Sequence, residues 1–283
     1  MKNKYAILFS ISNSYSFTLC NVLMSLSRNS PRCVENCDII IYSNDLTENN
    51  KNIIQKINNN CKFFKIVTSE NNEDFIKNHT LPKFFLEYPA VKTRWGIWNL
   101  FKLTAYTFLY EYEKILILDA DIYINKDIYS IFNIKLPLAW RKVEILNAVD
   151  ELKKVNLYYK NIDVTLCCGG VVLITKKILE YCSLIESIKL FKELTKNEDI
   201  KLIDEIFHTW ISYRYEIPVE LLSELWNGFK INKIKEIKII HFWGNEIAPW
   251  KNVETLKLFP EWLMYHRRIQ ELGVDSIPNF NFK

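Results

Sequence analysis

A large charge excess is missing from this chain: 37 Lys and Arg against 33 Asp and Glu in 283 residues leave a net charge of +4. That balance suits phosphate-bearing ligands or an anionic surface, but it is too small to mark a nucleic-acid binder. Long apolar runs are missing as well, and none approaches the ~18 residues of a membrane span. The apolar segment Tyr5–Ile11 follows a basic start, yet it is short and no small-residue cleavage site comes after it. A buried first strand is therefore expected there, not a signal peptide. Paired CxxC motifs are absent. The seven cysteines are scattered and odd in number, and Cys33 and Cys37 lack partner ligands at zinc spacing. Reduced thiols of a cytosolic protein are expected, without a structural zinc site. No glycine stands in Phe9–Tyr15 after the first strand, so that turn is not a glycine-rich, basic phosphate loop.

What remains is the profile of a globular α/β chain: 49% hydrophobic and 25% charged residues, enough for one large core. Ala6–Ile11 reads as a buried strand, Ser12–Tyr15 as a turn with capping residues, and the chain to about Arg28 as an apolar-periodic helix. Asp38–Ser43 is a second strand, and Leu46–Asn60 contains a helix with Ile53, Ile54 and Ile57 on one face. Phe63–Val67 is a third strand. This alternation predicts a mostly parallel, helix-covered sheet. Thr68–Trp98 is irregular, with prolines and many aromatics, and long enough to shape a ligand site. Leu100–Tyr110 is expected to be helical, Lys114–Leu118 and Gly170–Thr175 to be strands, and Lys176–Leu194 and Leu202–Tyr213 to be helices. Lys238–His241 reads as a late strand. No internal repeat is visible, and the Asn-rich stretches read as solvated loops and helix faces.

Four features carry chemistry. The strand Lys114–Leu118 is almost wholly apolar, as befits the centre of a sheet, and delivers Asp119-Ala-Asp121 at its carboxyl end, where open α/β sheets bind ligands. Two acids one residue apart share a side if the extended conformation continues. A magnesium or manganese ion would offset the cost of burying both, whereas the bland alternative is a solvated turn. His241 follows a second apolar strand and precedes Gly244 and Pro249-Trp250. It is either a nitrogen ligand of the same ion or a satisfied histidine in an aromatic cluster. Lys102, on the segment before the acidic strand, offers a point charge to a phosphate or is an ordinary solvated lysine. Asp204 and Glu205 open a helix, where the macrodipole alone explains acids.

Taken in order, these motifs resemble glycosyltransferase family 8, which includes glycogenin and bacterial lipopolysaccharide galactosyltransferases. The resemblance runs from about Tyr5 to Trp250. It is most specific from Lys102 through Phe132, where Lys-Leu-x-x-Tyr leads into Asp119-Ala-Asp121 and then Ile128-Tyr-Ser-Ile-Phe132. It implies an α/β fold of the GT-A type: a single domain with a Rossmann-like, mostly parallel sheet flanked by helices. The expected boundaries are 1–252 for the catalytic domain (1–135 nucleotide-binding half, 136–252 acceptor half) and 253–283 for a short helical tail. It implies Asp119, Asp121 and His241 as ligands of manganese or magnesium. Donor contacts are implied at Ser10, Ser12, Tyr15, Lys102, Asp119, Ala120, Asp121 and Gly244. The implied reaction is a retaining transfer of a hexose from a UDP-sugar to a glycan, lipid-linked or protein acceptor.

Departures from the family pattern are specific. Cys168-Gly-Gly-Val171 lies where Asn-Ser-Gly-Val or Asn-Ala-Gly-Val is usual, and Leu225-Trp226-Asn227 resembles the Trp-Asn element. Asp204-Glu205 lies at an Asp-Gln pair, which places Glu205 near the reacting sugar carbon with Asp204 beside it. Glu205 would stabilise the cationic transition state or form a transient ester, and for either role it is expected to be ionised. Covalent and same-face mechanisms both remain open. The signature His-x-x-Gly-x-x-Lys-Pro-Trp is one residue longer here and has Ala248 for lysine, leaving Lys251 as a substitute. In Phe259–Arg268 aromatic and basic residues mix, as in a segment that lies at a membrane surface or packs on the domain. The resulting expectation is a cytoplasmic enzyme with peripheral membrane contact through the tail. The competing readings are a sugar-nucleotide-forming nucleotidyltransferase and a non-catalytic nucleotide- or glycan-binding relic.

Overall fold

The fold is taken from a computed structural model, which describes residues 3–65, 68–69, 77–87, 96–143, 146–155, 166–196, 200–243 and 247–275. Its strands are β1 Tyr5–Ser10, β2 Cys37–Tyr42, β3 Cys61–Phe64, β4 Thr68–Ser69, β5 Leu81–Pro82, β6 Lys114–Leu118, β7 Ile122–Ile124, β8 Leu138–Lys142, β9 Cys167–Thr175, β10 Val219–Leu221 and β11 Ile239–His241. Seven of them form one sheet in the order β10-β8-β9-β6-β1-β2-β3. All pairings are parallel except those of β9, which runs against β6 on one side and β8 on the other. Two small pairs stand apart: β11 antiparallel to β7, and β4 parallel to β5.

Alternation along the central strands decides the layers. Ala6, Leu8, Ile115 and Ile117 face a core completed by the Ile203–Arg214 helix and the segment around Tyr106. Ile7, Phe9, Leu116 and Leu118 face a second core built with the Ser16–Asn29 helix. With successive side chains on opposite faces and both faces covered, these strands have to be apolar throughout. This is the α/β architecture the sequence predicts.

The details differ from expectation in instructive ways. Leu100–Tyr110 is not one helix: an α-helical turn, Gly96–Phe101, tightens into a 3₁₀ segment, Lys102–Tyr110. Lys176–Leu194 likewise divides into a 3₁₀ turn, Lys176–Glu180, and the Leu184–Thr195 helix, which Ser183 caps through the backbone N–H of Glu186. About half of the irregular stretch Thr68–Trp98 lies outside the described residues, as do the last two residues of the expected strand Phe63–Val67.

The helices Val253–Leu258 and Pro260–Glu271 join the second core. Phe259, Trp262, Tyr265 and Ile269 are buried with Ile7 and Phe9, and Trp262 stacks between Trp250 and His266. Gly273 ends the last helix at a φ of +77°, a conformation that favours glycine. Asp275 then accepts a hydrogen bond from Thr47 at 2.6 Å. The tail is thereby tied to the β1–β2 end of the domain. Among the described residues no helix is long and apolar enough to cross a membrane, and all seven cysteines are free.

Candidate active site

Strand direction assembles the site. Because β9 runs antiparallel to β6, its first residues, Cys167–Gly170, lie beside the carboxyl end of β6, and the Asp119 N–H donates to the Gly170 carbonyl at 3.0 Å. The β7–β11 pair then sets His241 opposite Ile122 and lets Phe242 N–H donate to the Asp121 carbonyl at 2.9 Å. Two segments 120 residues apart thus converge by backbone pairing. One potential ligand atom from each of Asp119, Asp121 and His241 lies within 4.8 Å of the others. His241 Nε2 is 3.2 Å from Asp121 Oδ1 and 3.5 Å from Asp119 Oδ2.

Gly170 makes the convergence possible. A Cβ there would stand 2.3 Å from His241 Cε1 and 2.5 Å from its Nδ1. The ring is pinned from behind, since Nδ1 is 2.8 Å from Asn227 Oδ1, while Asn227 Nδ2 donates to Cys168 Sγ at 3.1 Å. With the amide so oriented, Nδ1–H donates to Asn227 and Nε2 faces the two carboxylates, to which it donates while protonated and beside which it can serve as a nitrogen ligand once that proton is lost. Arg141 donates to the Asn227 carbonyl at 2.5 Å and fixes the support in turn. Two carboxylates and one imidazole with its far nitrogen hydrogen-bonded are a donor set that fits manganese or magnesium.

Charge in the triad is shared. Burial and the neighbouring Asp121 push the Asp119 carboxyl up, against the pull of Lys102 and His241. Burial opposes ionisation of Asp121 too, but His241 outweighs it and the carboxyl lies below its usual range. Burial works against a charged His241, yet Asp121 and Asp119 prevail and raise it. Protons and a cation therefore compete for this pocket.

Lys102 is only 4% exposed. Its ammonium sits 2.6 Å from Asp119 Oδ1 and 3.0 Å from Asp204 Oδ2, and reaches the Gly169 carbonyl at 3.4 Å. Burial would discharge it, but the two carboxylates hold it protonated above the ordinary lysine value. It is not the ordinary solvated lysine that the sequence also allows: the structure buries it in the cleft wall as a bridge between one triad aspartate and the helix-opening Asp204.

Asp204 and Glu205 begin the Ile203–Arg214 helix beneath β9. A Cβ at Gly169 would approach Asp204 Oδ2 to 2.8 Å, and the Gly169 N–H donates to Glu205 Oε1 at 3.0 Å. Burial, reinforced by Asp204, pushes the Glu205 carboxyl up to about 8. That shift works against the ionised Glu205 expected from the sequence. A neutral carboxyl offers one acceptor and one donor, as a glutamine amide does. Burial and then Glu205 push the Cys168 thiol up to about 11, so it is not a ready thiolate nucleophile.

The cleft over these groups encloses about 950 Å³. Ser10, Ser12, Tyr15, Lys102, Asp119, Ala120, Asp121, Asp204, Glu205 and His241 all line it. Ser10 Oγ is buried without a hydrogen-bond partner, whereas Ser12 Oγ is 2.7 Å from Ser14 Oγ. Lys251 is exposed and is not among the lining residues. Gly244 lies outside the described residues. Asp45, Trp98, Arg141 and Trp243 also line the cleft. Their spacing in the sequence carries no signal, because four separate elements bring them together.

The chain matches no curated protein sequence. Among solved structures, the bifunctional glycosyltransferase WbbM superposes with a TM-score of 0.65 at 14% identity, over 96% of this chain and 51% of that one. This chain thus spans about half of WbbM. The galactosyltransferase LgtC, solved with donor and acceptor sugar analogues, gives 0.55 at 14% identity over 97% and 98% of the two chains. GlyE of Streptococcus pneumoniae gives 0.54 at 14% identity over 99% of this chain and 66% of its own. At such identities these likenesses speak to the fold, which is that of GT-A glycosyltransferases. The sequence model described as "Glycosyl transferase family 8" matches residues 6–165, more than half of the chain, and the chain belongs to that family.

Proposed function

We propose that this glycosyltransferase moves a hexose from a UDP-sugar to a saccharide-bearing acceptor with retention of the anomeric configuration and with a divalent ion. The observation that carries the reading is the convergence of Asp119, Asp121 and His241 in the cleft, next to Lys102, Asp204 and Glu205. In this reading Asp119, Asp121 and His241 hold manganese or magnesium, which when bound supplies Lewis-acid stabilisation of the diphosphate leaving group. The turn after β1 receives the nucleoside. Ser10 Oγ offers an unused hydrogen-bonding atom there, Tyr15 a ring for the base, and Asp45 a carboxylate for ribose hydroxyls. Ala120 lets the diphosphate approach the backbone between the two aspartates.

Lys102 acts as a positioning residue, holding Asp119 at the ion and Asp204 under the sugar. Its charge also works against protonation of Asp119. Asp204 and Glu205 face the hexose. As the bond to the diphosphate breaks, positive character grows on the anomeric carbon, and Asp204 supplies the nearest full negative charge while Glu205 supplies its carbonyl dipole. Lys251, if drawn inward by the donor, replaces the signature lysine that Ala248 displaces.

The reading extends to a cytoplasmic location, which the seven free thiols favour. Contact with an anionic membrane surface falls to Met264, Arg267 and Arg268, the exposed side of the last helix, because Trp262 and Tyr265 are turned into the core. Calorimetric titration with UDP tests the donor site: manganese-dependent binding is expected. Equal binding in EDTA, or none in either condition, would overturn the assignment.

A further inference from the structure

Large apolar side chains in this chain are mostly buried, and Trp243 is an exception: it is 45% exposed, although it lines the cleft. It follows β11 directly. In the extended order His241, Phe242, Trp243 the first and third residues share a side, and the burial agrees. Phe242 is sunk in the second core while His241 and Trp243 look into the cleft. The indole meets the His241 ring edge-on, with centroids 5.6 Å apart and an interplanar angle of 85°. The ring is thereby held on one side by His241, while almost half of the residue stays exposed.

Packing does not explain this residue, since an indole left half in water forgoes much of its burial energy. Nor does the donor account for it. The polar and charged parts of a nucleotide sugar have partners elsewhere in the cleft: the turn after β1, the Asp119–Asp121–His241 triad, and Asp204 with Glu205. The acceptor has none of these. Its hydroxyl must come within about 3–3.5 Å of the anomeric carbon, so the sugar that bears it lies one ring away from the triad. Trp243 stands on the cleft wall beside the triad, its ring centroid 5.6 Å from that of His241. A pyranose has a face of C–H bonds that lies flat on an aromatic ring, and an indole adds an N–H for a neighbouring hydroxyl.

We propose that Trp243 is the platform of the acceptor site, binding a pyranoside through its C–H face. This rests on the donor and metal assignment above and names the acceptor chemistry that the site selects: a sugar ring with few axial hydroxyls on the stacked face, rather than a bare protein hydroxyl or a lipid alcohol. Trp243 determines specificity and holds no reacting atom.

The test uses the full chain with UDP and magnesium, and titrates methyl β-glucoside and methyl β-galactoside by saturation-transfer difference NMR. Trp243→Ala is expected to weaken whichever glycoside binds by at least fivefold, and Trp243→Phe by less than threefold. UDP affinity measured by calorimetry should stay within twofold. Three results would overturn the proposal: unchanged glycoside affinity in Trp243→Ala, a fall in UDP affinity instead, or no binding of either glycoside by wild-type protein that binds UDP. Failure of wild-type protein to bind UDP with metal would refute the donor assignment itself, and with it this inference.

Discussion

Gly170→Ala adds one methyl group and should disable the metal site without unfolding the protein. The new Cβ would lie 2.3 Å from His241 Cε1, 2.5 Å from Nδ1 and 3.2 Å from Asp119 Oδ2. Ordinary contact begins near 3.4 Å, so the imidazole must retreat by about 1 Å. It has no soft direction in which to go. Nδ1 is held by Asn227, which Cys168 and Arg141 hold in turn, and the Gly170 backbone is fixed by the Asp119 N–H. Overpacking of this kind costs about 1–3 kcal/mol of stability. A misplacement of ~1 Å at a reacting centre costs on the order of 10²-fold in rate, and disturbing the support of a metal ligand costs about 10–100-fold in metal affinity. The assay is UDP release from a UDP-hexose as manganese is titrated, with urea unfolding in parallel. Gly170→Ala should need about 10–100-fold more manganese for half-maximal rate. Gly169→Ala, whose methyl would press on Asp204 and Glu205 instead, should slow turnover with little change in manganese demand. Wild-type manganese dependence and rate in Gly170→Ala would refute the geometry on which the site is built.

Three further outcomes follow from the same contacts. Lys102→Met leaves Asp204, 2% exposed, without its buried cation. It should destabilise the fold by about 3–5 kcal/mol in urea unfolding, with part of the loss recovered in Lys102→Met/Asp204→Asn; an additive double variant would contradict the pairing. Glu205, with its carboxyl pushed up to about 8, is neutral below that pH and ionises above it. Wild-type turnover should therefore fall as pH rises through about 8 while Glu205→Gln stays active and lacks that limb; a wild-type rate that instead rises there relative to the variant would show that the ionised form is the working one. By linkage, a raised carboxyl stabilises the fold below its unfolded value and loses that contribution as pH climbs to about 8. Asn227→Ala frees the His241 ring and should weaken manganese affinity by about 10-fold or more, with UDP-dependent calorimetry as the readout; unchanged affinity would remove Asn227 from the support.

Sequence and structure agree where a local pattern dictates the outcome. The apolar run Lys114–Leu118 could be placed at the sheet centre because both its faces need covering, whereas Asp119, Asp121 and His241 read alone left bland alternatives open and were joined as one ligand set only by the family resemblance. The long-range pairings were not legible. Nothing local says that Cys167–Thr175 runs antiparallel, yet that reversal sets Gly169 and Gly170 against the triad. Three-residue strands such as Ile122–Ile124 and Val219–Leu221 are too short to show a period, although the first of them aims His241. The two acids beside Lys102 were not legible either, because a sequence shows a charge and not its partners. The upward shift of Glu205 was not legible for a related reason: burial, its largest cause, is a property of the packed helix.

The central claim is that Asp119, Asp121 and His241 form a metal site that serves donor cleavage. The most direct measurement is UDP release from UDP-glucose and UDP-galactose by the full chain, in manganese and in EDTA, alongside Asp121→Asn. The account predicts turnover with at least one donor in manganese, its loss in EDTA, and a fall of on the order of 10²-fold or more in Asp121→Asn. Turnover that persists in EDTA or in Asp121→Asn would contradict it.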